Sequence, residues 1–230
     1  MDHSLLIAFD GIDGSGKTTQ AKILERKLRE SGRETLQLSF PVYGSESSSL
    51  VRLYLGGSLG EKPGDVNAYA ASSFFAADRY ISYLTGWKEF YNRPGSVIIA
   101  NRYTTANAVH QLSKLPKTDW DSFLDWLYDY EFEKLKLPKP DLTLFFDMHP
   151  DVALALIEER AKKAQTKKDI HEMDQQYLRT CHEAGKYAAK YLGWEIVACC
   201  RENEAGVLEP KSEREIGESL AGPVDGLWRS

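Results

Sequence analysis

The sequence predicts an α/β fold of three layers, with helices on both faces of a five-stranded parallel sheet. Three observations predict it. Five short runs rich in β-formers recur along the chain. Longer segments with apolar residues three and four apart separate them, as crossover connections require. The first run leads directly into Gly11-Ile-Asp-Gly-Ser-Gly-Lys-Thr18, a glycine-rich turn that opens a helix.

The first strand is read at Leu5–Phe9 and its helix at Lys17–Glu30. The turn between them spells G-x-x-x-x-G-K-[ST], the phosphate-binding signature. Gly11, Gly14 and Gly16 carry no Cβ, so the backbone curls until several N–H groups share one concavity. The helix adds the positive end of its dipole. Lys17 supplies a point charge for the outer phosphates, and the Thr18 hydroxyl an oxygen for Mg²⁺.

The second strand, Thr35–Phe40, ends in Phe40-Pro-Val-Tyr-Gly44. Its apolar residues either wall the substrate side of a cleft or simply leave the sheet; both readings stand. A long helix is expected over Val66–Tyr91, with Phe75 and Arg79 one turn apart on one face. A ring and a guanidinium so placed can stack on a base and bond its edge. A core phenylalanine and a surface ion pair fit the same spacing.

The third strand, Val97–Ala100, delivers Asn101 and Arg102 at its carboxyl end, where ligands of parallel sheets bind. Arg102 there suits bidentate grip of a phosphate. The helix Thr105–Leu115 follows, with Asn107 and His110 a turn apart, facing a base or sugar or else only packing the helix. A helix over Asp119–Leu135, the strand Leu142–Asp147 and a helix over Asp151–Ala164 come next.

The segment from Arg160 to Glu172 concentrates Arg160, Lys162, Lys163, Lys167 and Lys168 in an otherwise acidic chain. It reads as a cationic flap able to close over phosphates, or as a solvated charge run. The helix Met173–Leu192 and the strand Glu195–Cys199 complete the sheet. Beyond it a polar loop is expected at Arg201–Pro210, then a short helix at Ser212–Leu220 stopped by Gly222-Pro223. A frayed tail follows, in which Trp228 has no role.

Composition narrows the partners. With 230 residues, 42% of them hydrophobic, one domain with insertions is expected over residues 1–230. Lys plus Arg total 29 against 34 Asp plus Glu, a net charge of -5, so coating a nucleic-acid backbone is not expected. Cys181, Cys199 and Cys200 match neither a disulfide framework nor zinc-ligand spacing. No stretch approaches membrane-span length or reads as a signal peptide, so a cytoplasmic protein is expected.

In their order and spacing these segments resemble the thymidylate kinase family, nucleoside monophosphate kinases of the P-loop NTPase fold, from about Ser4 to Cys200. The resemblance implies transfer of the γ-phosphoryl of ATP to dTMP with Mg²⁺, in a homodimer packed through the helices Val66–Tyr91 and Thr105–Leu115. The ATP site it implies comprises Gly11, Asp13, Gly14, Ser15, Gly16, Lys17, Thr18 and Thr19. Asp13 matches the carboxylate near the sugar 3′-hydroxyl, Phe75 the ring stacked on thymine, and Arg79 the reader of its edge. Arg102 matches the acceptor-phosphate arginine, and Asn107 a base contact found in some members. Phe40 and His110 complete the substrate set.

The lid implied, residues 160–172, includes Arg160, Lys167, Lys168, Asp169 and Glu172. Gly14 stands where one subclass has a loop arginine, which points to the subclass whose lid supplies the catalytic cation, with Arg160 first and Lys163, Lys167 and Lys168 behind it. Asn101, Ala106, His110, Val42 and Ile170 depart from the family pattern. They leave open another pyrimidine monophosphate or a deoxynucleoside as acceptor, and a regulatory nucleotide-binding module without turnover.

Overall fold

The computed structural model describes residues 3–164 and 175–228, with side chains at 161–164 outside that description. Strand β1 (Leu5–Asp10) is buried along its whole length. It lies between β3 (Val97–Asn101) and β4 (Leu142–Asp147), with β2 (Thr35–Ser39) and β5 (Glu195–Ala198) outside, giving the order β2-β3-β1-β4-β5. Every pairing in this sheet is parallel; Ile7 faces Ile99 on one side and Leu142 on the other. Near-continuous apolar runs fit strands covered on both faces.

The two-residue period of the strands divides the core. Leu5, Ile7, Phe9, Val97 and Ile99 join one cluster with the helices α1 (Lys17–Glu30) and α5 (Thr104–His110). Leu6, Ala8, Ile98 and Ala100 point the other way, onto Phe40, Trp87 and Tyr103. The remaining crossovers use α2 (Ser49–Leu55), α3 (Ala68–Ser82), α4 (Lys88–Tyr91), α6 (Trp120–Tyr128), α7 (Pro150–Ala164) and α8 (Gln175–Leu192).

The helices depart in detail from their expected spans. Asn67 accepts a hydrogen bond from Ala70 N at 2.8 Å, so α3 starts at Ala68 and Val66 stays extended. A π turn at Tyr83–Trp87 joins α3 to α4, and another at Asp129–Lys134 extends α6. Helix α2 is absent from the sequence reading because its serine-rich approach, Ser45–Ser49, reads as a loop. Here Ser45 caps the turn that starts it, and Val51, Tyr54 and Leu55 bury its inner face.

The C-terminal region corrects two expectations. Arg201–Pro210 is a hairpin rather than a loop, with β6 (Cys200–Glu202) antiparallel to β7 (Leu208–Pro210). Arg201 pairs across the strands with Glu209 at 2.8 Å, a contact that charge counting cannot reveal. The tail from 222 is not frayed as far as residue 228. After α9 (Glu213–Ser219), Pro223 sits in the first turn of α10 (Ala221–Gly226), where a missing N–H costs nothing. Trp228 packs against the core with the Arg33 guanidinium 3.4 Å above its ring centre.

Candidate active site

The turn from β1 into α1 takes the shape its glycines allow. Gly11, Gly14 and Gly16 have φ of 143°, 79° and 85°, values that L side chains rarely adopt. A Cβ on Gly14 would stand 2.7 Å from the Ala153 carbonyl of α7, so that position has no room for a side chain. Lys17 Nζ donates to the carbonyls of Gly11 (2.9 Å) and Ile12 (2.7 Å) and to Ser15 Oγ (3.2 Å). Burial, then the nearby Arg102, lowers its pKa to about 8.

Asp10 supports the loop from below. Its buried carboxyl accepts from Gly11 N at 3.0 Å and from the Thr105 hydroxyl at 2.5 Å. Burial raises its pKa against the opposing pull of Arg102 and Lys17. At the end of β3, Arg102 N donates to Phe9 O and Arg102 adopts a left-handed backbone, φ 66°. Its Nη2 then donates to Asp13 Oδ1 at 2.5 Å and its Nη1 to His110 Nε2 at 2.6 Å. Asn101 Nδ2 donates to Thr18 Oγ1 at 2.9 Å, while Asn101 Oδ1 is buried with no partner among the described residues.

Two clefts meet here. One of about 220 Å³ runs along Asp13–Thr19 and reaches Arg160 on α7. The other, of about 240 Å³, is walled by Phe40, Phe75, Arg79, Asn107 and His110. Asp13, Asn101 and Arg102 line both. The predicted residues are thus brought together, Thr19 included, with Gly11 forming the turn beneath. The lid residues Lys167, Lys168, Asp169 and Glu172, and the side chain of Lys163, lie outside the described residues.

Arg79 is neither at the surface nor in a surface ion pair. It is fully buried, with Nε and Nη2 donating to Glu131 at 2.8 and 2.5 Å. Glu131 also accepts from Thr104 Oγ1 (2.7 Å) and Asn107 Nδ2 (3.1 Å). This glutamate is not among the residues expected at the site from the sequence. Its signal was an acid in line with the buried Leu124 and Leu127 of α6, at a position where helical periodicity expects an apolar residue. Asp78 was also unselected; it accepts from Val42 N and Ser47 Oγ and so ties the segment after Phe40 to α3. Asp147, at the carboxyl end of β4, is taken by His182 at 2.5 Å and Lys186 at 3.2 Å. Burial works to raise its pKa, but His182 and Lys186 together outweigh it and hold the carboxyl below its usual value.

A parallel sheet of this order, whose first turn is shaped to cradle phosphate and opens onto a second cleft, marks a P-loop kinase of small acceptors. The thymidylate kinase family model matches residues 9–199. The thymidylate kinase of Mycobacterium tuberculosis is 32% identical over 152 residues, 65% of this chain and 68% of that one. The human thymidylate kinase is 26% identical over 227 residues, 97% of each chain. The solved thymidylate kinase of Candida albicans shares the fold, with a TM-score of 0.69 at 24% identity, covering 97% of this chain and 92% of that one. The chain belongs to the thymidylate kinase family.

Proposed function

We propose that this phosphotransferase moves the γ-phosphoryl of ATP to dTMP, giving dTDP and ADP, with the residues of the two clefts in distinct roles. One observation carries the assignment of sites: the clefts join at Asp13, Asn101 and Arg102. A donor phosphate chain over Lys17 and an acceptor phosphate at Arg102 would then meet end to end. Phosphoryl transfer needs mainly alignment and countercharge, so such a junction is what the reaction requires.

In this reading the loop amides and Lys17 hold the donor phosphates, and Arg102, braced by Asp13 and His110, holds the acceptor phosphate. Phe75, set edge-on against Tyr54 with ring centres 6.2 Å apart, offers its face to the base. Phe40 closes the cleft opposite. Arg160 brings a cation to the donor side, with Lys163 and the lid residues expected to join it. Gly14, which has no room for a side chain, supports the lid as the source of that charge.

The residues also suit Mg²⁺. The Thr18 hydroxyl and the orphaned Asn101 Oδ1 are hard oxygen donors, and a magnesium ion arriving with ATP could take them directly or through water. Bound there, the ion would neutralise charge on the β- and γ-phosphates.

We read residues 1–230 as one domain working in the cytoplasm, where the free thiols Cys181, Cys199 and Cys200 would stay reduced. No helix among the described residues is long and apolar enough to cross a membrane. A homodimer is proposed through α2 and α3, on which Leu50, Leu53 and Ile81 are exposed. Helix α5 does not supply such a face, because all but Ala106 of it is buried within its own chain.

A coupled assay of ADP release tests the acceptor, run with dTMP, dUMP, dCMP and thymidine. Preference for dTMP over dCMP and thymidine is expected. Turnover of thymidine at equal efficiency would displace Arg102 from its role.

A further inference from the structure

We propose that Glu131 is the positioning residue that decides which pyrimidine edge the acceptor cleft reads, selecting a 4-oxo base over a 4-amino base. This rests on the dTMP reading above and deepens it. Glu131 lies 52 positions from Arg79 and 24 from Asn107, and it is wholly buried. It borders neither cleft, so it acts through those two side chains.

A carboxylate and a backbone carbonyl only accept hydrogen bonds. Asn107 Nδ2 donates to Glu131 Oε1 at 3.1 Å and to Ser72 O at 3.3 Å. Its amide cannot turn over without setting its oxygen against both acceptors. Asn107 is thereby held with Oδ1 as the atom free to serve the cleft it lines.

Arg79 is treated the same way. Glu131 takes Nε and Nη2 side-on, which leaves Nη1 as the free edge of the guanidinium. Thr104 Oγ1 holds the second carboxylate oxygen at 2.7 Å and stops the acid from swinging. One glutamate thus sets a fixed donor beside a fixed acceptor.

A thymine edge offers O4 as acceptor and N3–H as donor, which matches that pair. A cytosine edge offers an amine and a bare N3, which opposes it at both positions. Sites that bond a substrate's polar edge reject the mismatched analogue strongly, because the buried groups are left unpaired. Uracil shares the thymine edge, so Glu131 does not separate dTMP from dUMP.

The test is Glu131→Gln, assayed with dTMP and dCMP. Glutamine has one accepting oxygen where glutamate has two, so it cannot hold Arg79 and Asn107 together as the carboxylate does. The ratio of kcat/KM for dTMP to that for dCMP should fall at least about tenfold, mainly through the KM for dTMP, with the KM for ATP within about twofold. A purely structural role would lower both substrates alike and leave the ratio unchanged, and that result overturns the proposal. If Glu131→Gln does not fold, Glu131→Asp keeps the charge for Arg79 but is too short to hold Asn107 as well, and an unchanged ratio there is equally fatal. Wild-type protein inert toward dTMP would defeat the functional reading itself. Wild-type preference that survives intact in the variant defeats only the role of Glu131.

Discussion

Arg102 and Asp13 face each other across the mouth of the phosphate loop, Nη2 to Oδ1 at 2.5 Å, although 89 residues separate them. The pair joins the end of β3 to the turn after β1 and lines both clefts. About a fifth of each side chain is exposed, and desolvation offsets much of the attraction, so the pair's value lies more in placing the guanidinium than in stability. Arg102→Ala should raise the KM for dTMP about 100-fold while changing the KM for ATP severalfold at most. Steady-state kinetics with each substrate varied in turn checks this, and equal effects on both would remove the assigned role.

Lys17 carries a pH signature. Its pKa of about 8 means that the ammonium is lost as pH rises through that value. Capture of ATP by the free enzyme needs the charged form, so kcat/KM for ATP should fall about tenfold per unit above pH 8. Bound phosphates favour the ammonium, so the limb in kcat should lie at higher pH. Lys17→Ala should lower kcat by about 10²-fold or more and abolish the limb. A flat profile to pH 10 would contradict it.

Gly14→Ala tests the tight turn. The new Cβ would meet the Ala153 carbonyl at 2.7 Å with φ near 79°, so the loop or α7 must shift. Strain of about 1–3 kcal/mol is expected there. The KM for ATP should rise at least tenfold, measured beside thermal unfolding to separate binding from folding.

Thr105→Val removes the hydroxyl from the buried Asp10 carboxyl and leaves Gly11 N as its hydrogen-bond donor among the described residues. Losing one partner of a buried acceptor costs about 1–3 kcal/mol. At this chain length each kcal/mol lowers Tm by about 2–4 °C, readable by calorimetry. An unchanged Tm would show that Asp10 does not depend on Thr105.

The sheet and the phosphate loop were legible in the sequence because their signals are local. Apolar runs such as Leu5–Phe9 are too short for a helix and stop at a glycine turn, so they read as buried strands, and glycines at 11, 14 and 16 announce a turn no other residue makes cheaply. The strand ends also told where Arg102 would stand. What the tertiary structure alone decided were the partners: Glu131 for Arg79 and Asn107, His182 and Lys186 for Asp147, and Arg33 for Trp228. Periodicity and turn chemistry act over a few residues and leave a mark in the chain. Hydrogen-bond and charge partners dozens of residues apart are chosen by how helices pack on the sheet, and the depressed pKa of Lys17 follows from that packing too.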